Sequence, residues 1–141
     1  MPDNLDLTIV IPLLNEEESL RPLFQKIQDA VAALNLSYEV IFIDDGSTDG
    51  SMAVLRELNE KSDVVKVIQF RRNFGKAAAY SAAFSRVRGK YVVTMDADLQ
   101  DDPAEIEHLI AKLEEGYDLV SGWKKKRHDP LGKTVPSKFF N

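Results

Sequence analysis

The sequence predicts an α/β fold, a mostly parallel sheet with helices on both faces. Two observations carry this. Five short apolar runs alternate with four stretches of helical periodicity, in the order β-α-β-α-β-α-β-α-β. The five unusual clusters of turn formers and charged residues then each follow a strand. Strands that alternate with helices pair in parallel through right-handed crossovers and are buried on both faces.

The elements follow in order. Leu7–Pro12 is a β-branched apolar run stopped by proline, the first strand. Asn15 is a candidate cap, and Glu16, Glu17 and Glu18 suit the positive end of a helix. Pro22 is acceptable only in a first turn, so the helix is expected from Ser19 or Leu20 to Leu34. Leu20, Leu23, Phe24, Ile27, Val31 and Leu34 form its apolar face. Tyr38–Ile43 is the second strand, running into the turn formers Asp44–Ser51. Met52–Lys61 is helical, and Val64–Phe70 is the third strand. Ala77–Val87 is an alanine-rich helix ended by Gly89. Lys90–Met95 is the fourth strand. Asp102 and Pro103 supply an N-cap and a first-turn proline for a helix reaching Glu115. Tyr117–Ser121 is a short fifth strand.

With 141 residues, 44% hydrophobic and 29% charged, the chain suits one globular domain with its own core. Met1–Asp6 is polar and acidic and does not read as a signal peptide. No apolar run approaches the roughly 20 residues that span a bilayer. The chain has no cysteine, which removes disulfides and thiolate metal sites, and a cytoplasmic location is the expectation. A net charge of −5 argues against nucleic acid as a partner. Basic residues concentrate at the end: Lys124, Lys125, Lys126, Arg127, Lys133 and Lys138, opposed only by Asp129.

The clusters Pro12–Glu17, Asp44–Ser51, Arg71–Lys76, Asp96–Gln100 and Gly122–Arg127 all fall at strand ends. In an open parallel sheet these ends share one edge, where ligands bind, so a single site is expected. Asp96 and Asp98 are two apart and project to one side of an extended chain. Their mutual repulsion is relieved by a divalent metal, and oxygen ligands favour Mg²⁺ or Mn²⁺ bridging to substrate phosphates. The plainer alternative is a strand-end turn. Asp101 and Asp102 belong to the next helix start.

Asp44–Ser47 has three readings. It is a turn with an Asp cap, a calcium loop, or a strand-end carboxylate that accepts hydrogen bonds from a nucleobase or ribose. Asp45, Ser47, Asp49 and Gly50 match positions 1, 3, 5 and 6 of a calcium loop, but Arg56 stands where the closing glutamate belongs. The third reading is preferred. Arg71, Arg72 and Lys76 flank Gly75 at a helix start, a place for an anion. Lys124–Arg127 is a second phosphate candidate or a solvated loop. Trp123 stacks on a ligand or packs. His108 and His128 have no partners for zinc or a triad, and no Gly-x-Ser-x-Gly, P-loop or Gly-x-Gly-x-x-Gly occurs. A receiver-like signalling domain shares the alternating order, but the acidic pair lies on the wrong strand for it.

Four motifs stand in order: Val10–Glu17 (VIPLLNEE), Ile43–Ser47 (IDDGS), Arg72–Lys76 (RNFGK) and Met95–Pro103 (MDADLQDDP). Together they resemble family-2 glycosyltransferases of the Rossmann-like GT-A nucleotide-sugar-binding fold. The subgroup most similar is the polyprenyl- and dolichyl-phosphate sugar transferases. The resemblance implies that Pro12, Leu14 and Glu16 line a nucleoside pocket, with Ile43 and Asp45 holding the base and Lys76 on the nucleotide. It implies Asp98 as main metal ligand, Asp96 near ribose and metal, and Gln100 close by, these three forming the catalytic set with Mg²⁺ or Mn²⁺. Lys124, Lys133 and Ser137 fall where the family places groups for the diphosphate or the acceptor phosphate. The family often has arginine at the two lysine positions, and lysine lacks the bidentate fork.

The implied activity is inverting transfer of a sugar from a UDP- or GDP-sugar to an acceptor, by subgroup an undecaprenyl or dolichyl phosphate. A nucleotide-sugar-binding module, or a transferase acting on a saccharide hydroxyl in cell-envelope polysaccharide synthesis, is the alternative. The expected organisation is a donor-binding domain over residues 1–123. A basic segment, 124–141, would lead into an acceptor-side region of a longer protein at the cytoplasmic face of a membrane.

Overall fold

Leu7 to Leu13 are all buried, which a strand achieves only when both of its faces are covered. This strand, β1 (Leu5–Leu13), is the centre of a five-stranded sheet in the computed structural model, which describes residues 5–100, 102–114 and 120–121. The other strands are β2 (Tyr38–Asp44), β3 (Val65–Gln69), β4 (Gly89–Thr94) and β5 (Val120–Ser121). All neighbours pair in parallel, in the spatial order β3-β2-β1-β4-β5. The chain thus builds outward from β1 to one edge and then returns to the other side of it. The reversal lies between β1 and β4, and at such a switch point the carboxyl ends of the strands open a crevice.

The connecting helices are α1 (Leu20–Leu34), α2 (Ser51–Lys61), α3 (Lys76–Phe84) and α4 (Ile106–Glu114). They cover the two faces unequally. Leu7, Ile9, Ile11 and Leu13 of β1 join a large core with Leu23, Ile27 and Val31 of α1, Leu55 of α2 and Ile106 of α4. Each such side chain, fully buried, contributes about 1.5–3 kcal/mol. Val10, Ile41 and Ile43 face the other way, against Ala79 and Ala83 of α3. The alanines let that helix sit close to the sheet.

Boundaries agree with the sequence pattern at α1, which ends at Asn35 in a left-handed cap with φ 56°. Asp102 caps as expected, its carboxylate accepting from Ala104 N at 3.0 Å ahead of a 3-10 turn at Pro103–Glu105. Three expectations need correction. Pro12 does not stop the first strand, which continues to Leu13. Asn15 does not cap α1; Ser19 holds the cap position and makes no side-chain cap bond. The alanine-rich helix ends at Phe84, not Val87, because Arg88 and Gly89 are drawn into the sheet.

That last region forms a buried polar network at the amino ends of the strands, remote from the crevice. Glu39, 2% exposed, accepts from Thr8 Oγ1 at 2.7 Å, from Arg88 N at 2.8 Å and from Arg88 Nε at 3.3 Å. Gly89 N donates to Thr8 Oγ1 at 2.8 Å. A Cβ on Gly89 would stand 2.4 Å from Thr8 N, so only glycine fits the approach. No helix among the described residues is long and apolar enough to cross a membrane.

Candidate functional site

The site opens where β1 and β4 part. Met95 N donates to the Val10 carbonyl at 3.0 Å, and Asp45 N donates to the Leu13 carbonyl at 2.9 Å. From Leu7 onward, even-numbered residues of β1 therefore bond β4, and odd-numbered ones bond β2. The next donor toward β4 belongs to residue 12, and proline has none. Pairing with β4 ends at Val10↔Thr94. A cleft of about 370 Å³ fills the gap beyond. Pro12 lines it from the end of β1, Leu14 and Glu16 from the loop that follows, Asp45 from just beyond the end of β2, Lys76 from the start of α3, and Asp96 and Asp98 from the loop after β4. Seven of the expected site residues, from the segments after four different strands and the end of β1, thus share one cleft.

Asp45 is the best-anchored of them. It is 7% exposed, and its two oxygens accept from Phe74 N at 2.8 Å, Gly75 N at 3.0 Å and Asn73 Nδ2 at 3.1 Å. The carboxylate holds the backbone of the loop that leads into α3. The next residue, Gly46, has φ +86°, and a Cβ there would lie 2.5 Å from Arg72 C. Only glycine allows the two loops to cross this closely. The result is that Gly75 and Lys76, at the start of α3, stand at the cleft wall.

The first loop is tied down on two sides. Asn15, at φ 56°, accepts on Oδ1 from Thr48 N at 2.9 Å and Asp49 N at 3.2 Å, while its own N–H donates to Ser47 Oγ at 2.8 Å. Ser19 Oγ donates to the Ala97 carbonyl at 2.6 Å, inside the acidic turn. Asn15 and Ser19 had no assigned role in the site from the sequence. Asn15 carried one usable signal, as a residue tolerant of left-handed backbone. Nothing in the chain pointed to the partner of Ser19.

In the acidic turn, Asp96 Oδ1 accepts from Lys76 Nζ at 2.8 Å. Asp98 Oδ1 accepts from Gln100 N at 3.1 Å, an Asx-type turn. Leu99 between them is held at φ 66°, a conformation that disfavours leucine. Such strain persists where the surroundings over-determine it, commonly at functional sites. The donor set fits a hard divalent cation. Of the four acidic residues that line the cleft, Asp96 and Asp98 share the turn after β4, and among the described residues no group of three or more His, Cys, Asp or Glu is placed to hold a metal by itself. Mg²⁺ and Mn²⁺ accept one or two carboxylates and complete their shell with water and substrate phosphate.

A calcium loop at Asp45–Gly50 does not survive the geometry. Asp45 faces the Asn73–Gly75 backbone, whereas Asp49 accepts from Ser51 N at 2.8 Å and Glu17 N at 3.3 Å. Bonding to Ser51 foremost holds the Asp49 carboxyl below the usual carboxylate range.

Other expected residues lie elsewhere. The Ile43 side chain is fully buried beneath α3 and does not reach the cleft, because that position of β2 faces the second core. Gln100 is exposed, and its backbone rather than its side chain bonds Asp98. Of the basic residues Arg71, Arg72 and Lys76, Lys76 alone lines the cleft; Arg72 stacks over the Phe74 ring at 4.2 Å. His108 is exposed on α4. Asp101, Trp123, Lys124, Lys133, Ser137 and His128 lie outside the described residues, as does the 124–141 segment.

Comparison with known proteins bears on this arrangement. The family model described as glycosyl transferase family 2 matches residues 8–140. An undecaprenyl-phosphate 4-deoxy-4-formamido-L-arabinose transferase of Klebsiella pneumoniae subsp. pneumoniae is 42% identical over 137 residues, covering 96% of this chain and 42% of that protein. Among solved structures, the mannosyltransferase PcManGT of Pyrobaculum calidifontis, in complex with GDP-Man and Mn²⁺, superposes with a TM-score of 0.63. It is 24% identical, over 81% of this chain and 34% of the other. Glucosyl-3-phosphoglycerate synthase of Mycobacterium tuberculosis, in complex with Mn²⁺, UDP and phosphoglyceric acid, gives 0.61 at 25% identity. That match covers 77% of this chain and 39% of the other. The chain spans less than half the length of each of these three proteins.

Proposed function

The chain belongs to glycosyl transferase family 2, and from that premise we propose that it is the donor-binding part of an inverting, metal-dependent sugar transferase. Its fold is the GT-A fold of its structural neighbours. The proposed donor is a UDP- or GDP-sugar and the proposed acceptor a polyprenyl phosphate, undecaprenyl or dolichyl. The acceptor follows the Klebsiella relative, whose name carries undecaprenyl phosphate. The donor class and the metal follow the neighbours bound to GDP-Man or UDP with Mn²⁺.

The observation that carries this reading is the convergence of Asp96, Asp98 and Lys76 on one cleft at the switch point of the sheet. Pro12 and Leu14 offer an apolar wall for a nucleoside, with Glu16 beside them. Asp45 serves the base side of the pocket by holding the Asn73–Gly75 backbone in place. Ile43 supports the end of β2 by packing against α3 rather than by touching the nucleotide. Asp98, with Asp96 and with Gln100 nearby, would hold Mg²⁺ or Mn²⁺, which supplies charge neutralisation to a departing diphosphate. A phosphate acceptor is already anionic, so attack on the anomeric carbon needs no general base. Lys124, Lys133 and Ser137 are proposed to serve the diphosphate or the acceptor phosphate. The acceptor-side part is assigned to a longer protein working at the cytoplasmic face of a membrane, in keeping with relatives more than twice this length.

The full-length protein, incubated with radiolabelled UDP- and GDP-sugars, Mn²⁺ and undecaprenyl phosphate, should yield a sugar-labelled lipid that Asp98→Asn abolishes. Label appearing only on a saccharide hydroxyl, or no transfer with any donor, would contradict the reading.

A further inference from the structure

A cation already sits on the acidic turn. The Lys76 ammonium lies 2.8 Å from Asp96 Oδ1. Lys76 is the first residue of α3, where the positive end of the helix disfavours a cation. Asp96 offsets that repulsion. The Lys76 side chain is 61% exposed and that of Asp96 21%, and ion pairs this open to water hold weakly. The lysine head is a point charge on a flexible four-carbon stem, able to change partners without moving the backbone. Asp45, through Phe74 and Gly75, fixes the point from which that stem swings.

We infer that Lys76 is a tethered counter-ion. It holds the Asp96 carboxylate before donor binds and yields it to the divalent cation when a nucleoside diphosphate draws the ammonium away. Two cations on one carboxylate repel, so Lys76 lowers metal affinity in the absence of nucleotide. A diphosphate gives the ammonium another anionic partner, so metal and nucleotide each strengthen the binding of the other by the same factor. This rests on the donor-site reading above and adds a coupling device to it.

The test is Mn²⁺ binding, read from the free-ion signal in electron paramagnetic resonance, with and without UDP or GDP. It uses the wild-type full-length protein, Lys76→Met, Lys76→Arg and Asp98→Asn. Without nucleotide, Lys76→Met should bind Mn²⁺ about three- to tenfold more tightly than wild type, while Lys76→Arg stays near wild type. The gain in Mn²⁺ affinity on adding nucleotide should shrink in Lys76→Met. Equal or weaker Mn²⁺ binding by Lys76→Met, with Asp98→Asn still impaired, would overturn the counter-ion role and leave the donor site standing. Mn²⁺ binding indifferent to Asp98→Asn would overturn the donor site and this inference with it.

Discussion

The hydroxyl of Ser19 donates to the carbonyl of Ala97 at 2.6 Å, across 78 residues of sequence. Ala97 is the buried residue between the two aspartates. One hydroxyl therefore fixes the loop after β1 to the acidic turn after β4, on opposite walls of the cleft. A hydrogen bond of this kind is worth about 0.5–1.5 kcal/mol. Ser19→Ala should raise the dissociation constant for Mn²⁺-nucleotide about two- to tenfold while Ser19→Thr, which keeps the donor, stays close to wild type. Calorimetry on the three proteins decides this, and identical affinities would remove Ser19 from the site.

Asp45, itself buried, accepts from two backbone N–H groups in part-buried bonds. Removing the acceptor leaves them unsatisfied, at about 1–3 kcal/mol. Asp45→Ala should lower unfolding stability by that amount and speed amide exchange at Phe74 and Gly75 above all. Nucleotide affinity should fall as well, because the start of α3 is no longer fixed. Exchange rates unchanged at those two amides would show that the loop stands without Asp45.

The Glu39 network separates stability from binding. Glu39 is buried and accepts from Thr8 and Arg88 at the amino ends of the strands. Glu39→Ala strands the Thr8 hydroxyl and the Arg88 backbone donor, a loss of about 2–4 kcal/mol. Denaturant unfolding should show that loss, while nucleotide affinity of the remaining folded protein stays within about twofold of wild type. A large affinity change would mean that the two ends of the sheet are coupled.

Arg21 and Glu57 join α1 to α2 through two bonds, Nε to Oε2 at 2.9 Å and an NH2 contact to Oε1 at 2.8 Å. This hydrogen-bonded guanidinium holds the Glu57 carboxyl down at about 2, against an ordinary value of 4.5. A depressed carboxyl stabilises the fold above its unfolded pKa, and that contribution is lost as pH falls through the folded one. The wild-type advantage over Glu57→Gln in thermal midpoint should therefore be constant above pH 4.5 and fade as pH approaches 2. Both side chains are open to solvent, so the advantage is small and salt should reduce it. An advantage that persists at pH 2 would refute the assignment.

Element order and the shared ligand edge were legible because β-branched runs and Gly/Pro punctuation are local signals. The acidic pair and Lys76 were legible for the same reason, lying at strand ends. What escaped is long-range. A run buried on both faces has no polar alternation, so the sequence does not reveal that Ile43 points away from the cleft. Pro12 reads locally as a stop. Its missing donor matters only once β4 lies beside it, where pairing ends and the cleft begins. Asn15 reads as a cap because its partners, Thr48 and Asp49, are more than thirty residues away.

The central claim is that Asp98, at the carboxyl edge between β1 and β4, brings a divalent cation and a nucleotide-sugar into one cleft. Isothermal titration of UDP- and GDP-sugars into wild type and Asp98→Asn, with and without Mn²⁺, tests it most directly. The account predicts saturable binding of one donor class by wild type in Mn²⁺, weakened at least tenfold by Asp98→Asn or by metal removal, with the fold intact. Equal affinity in all four conditions, or no binding of any nucleotide-sugar, would contradict it.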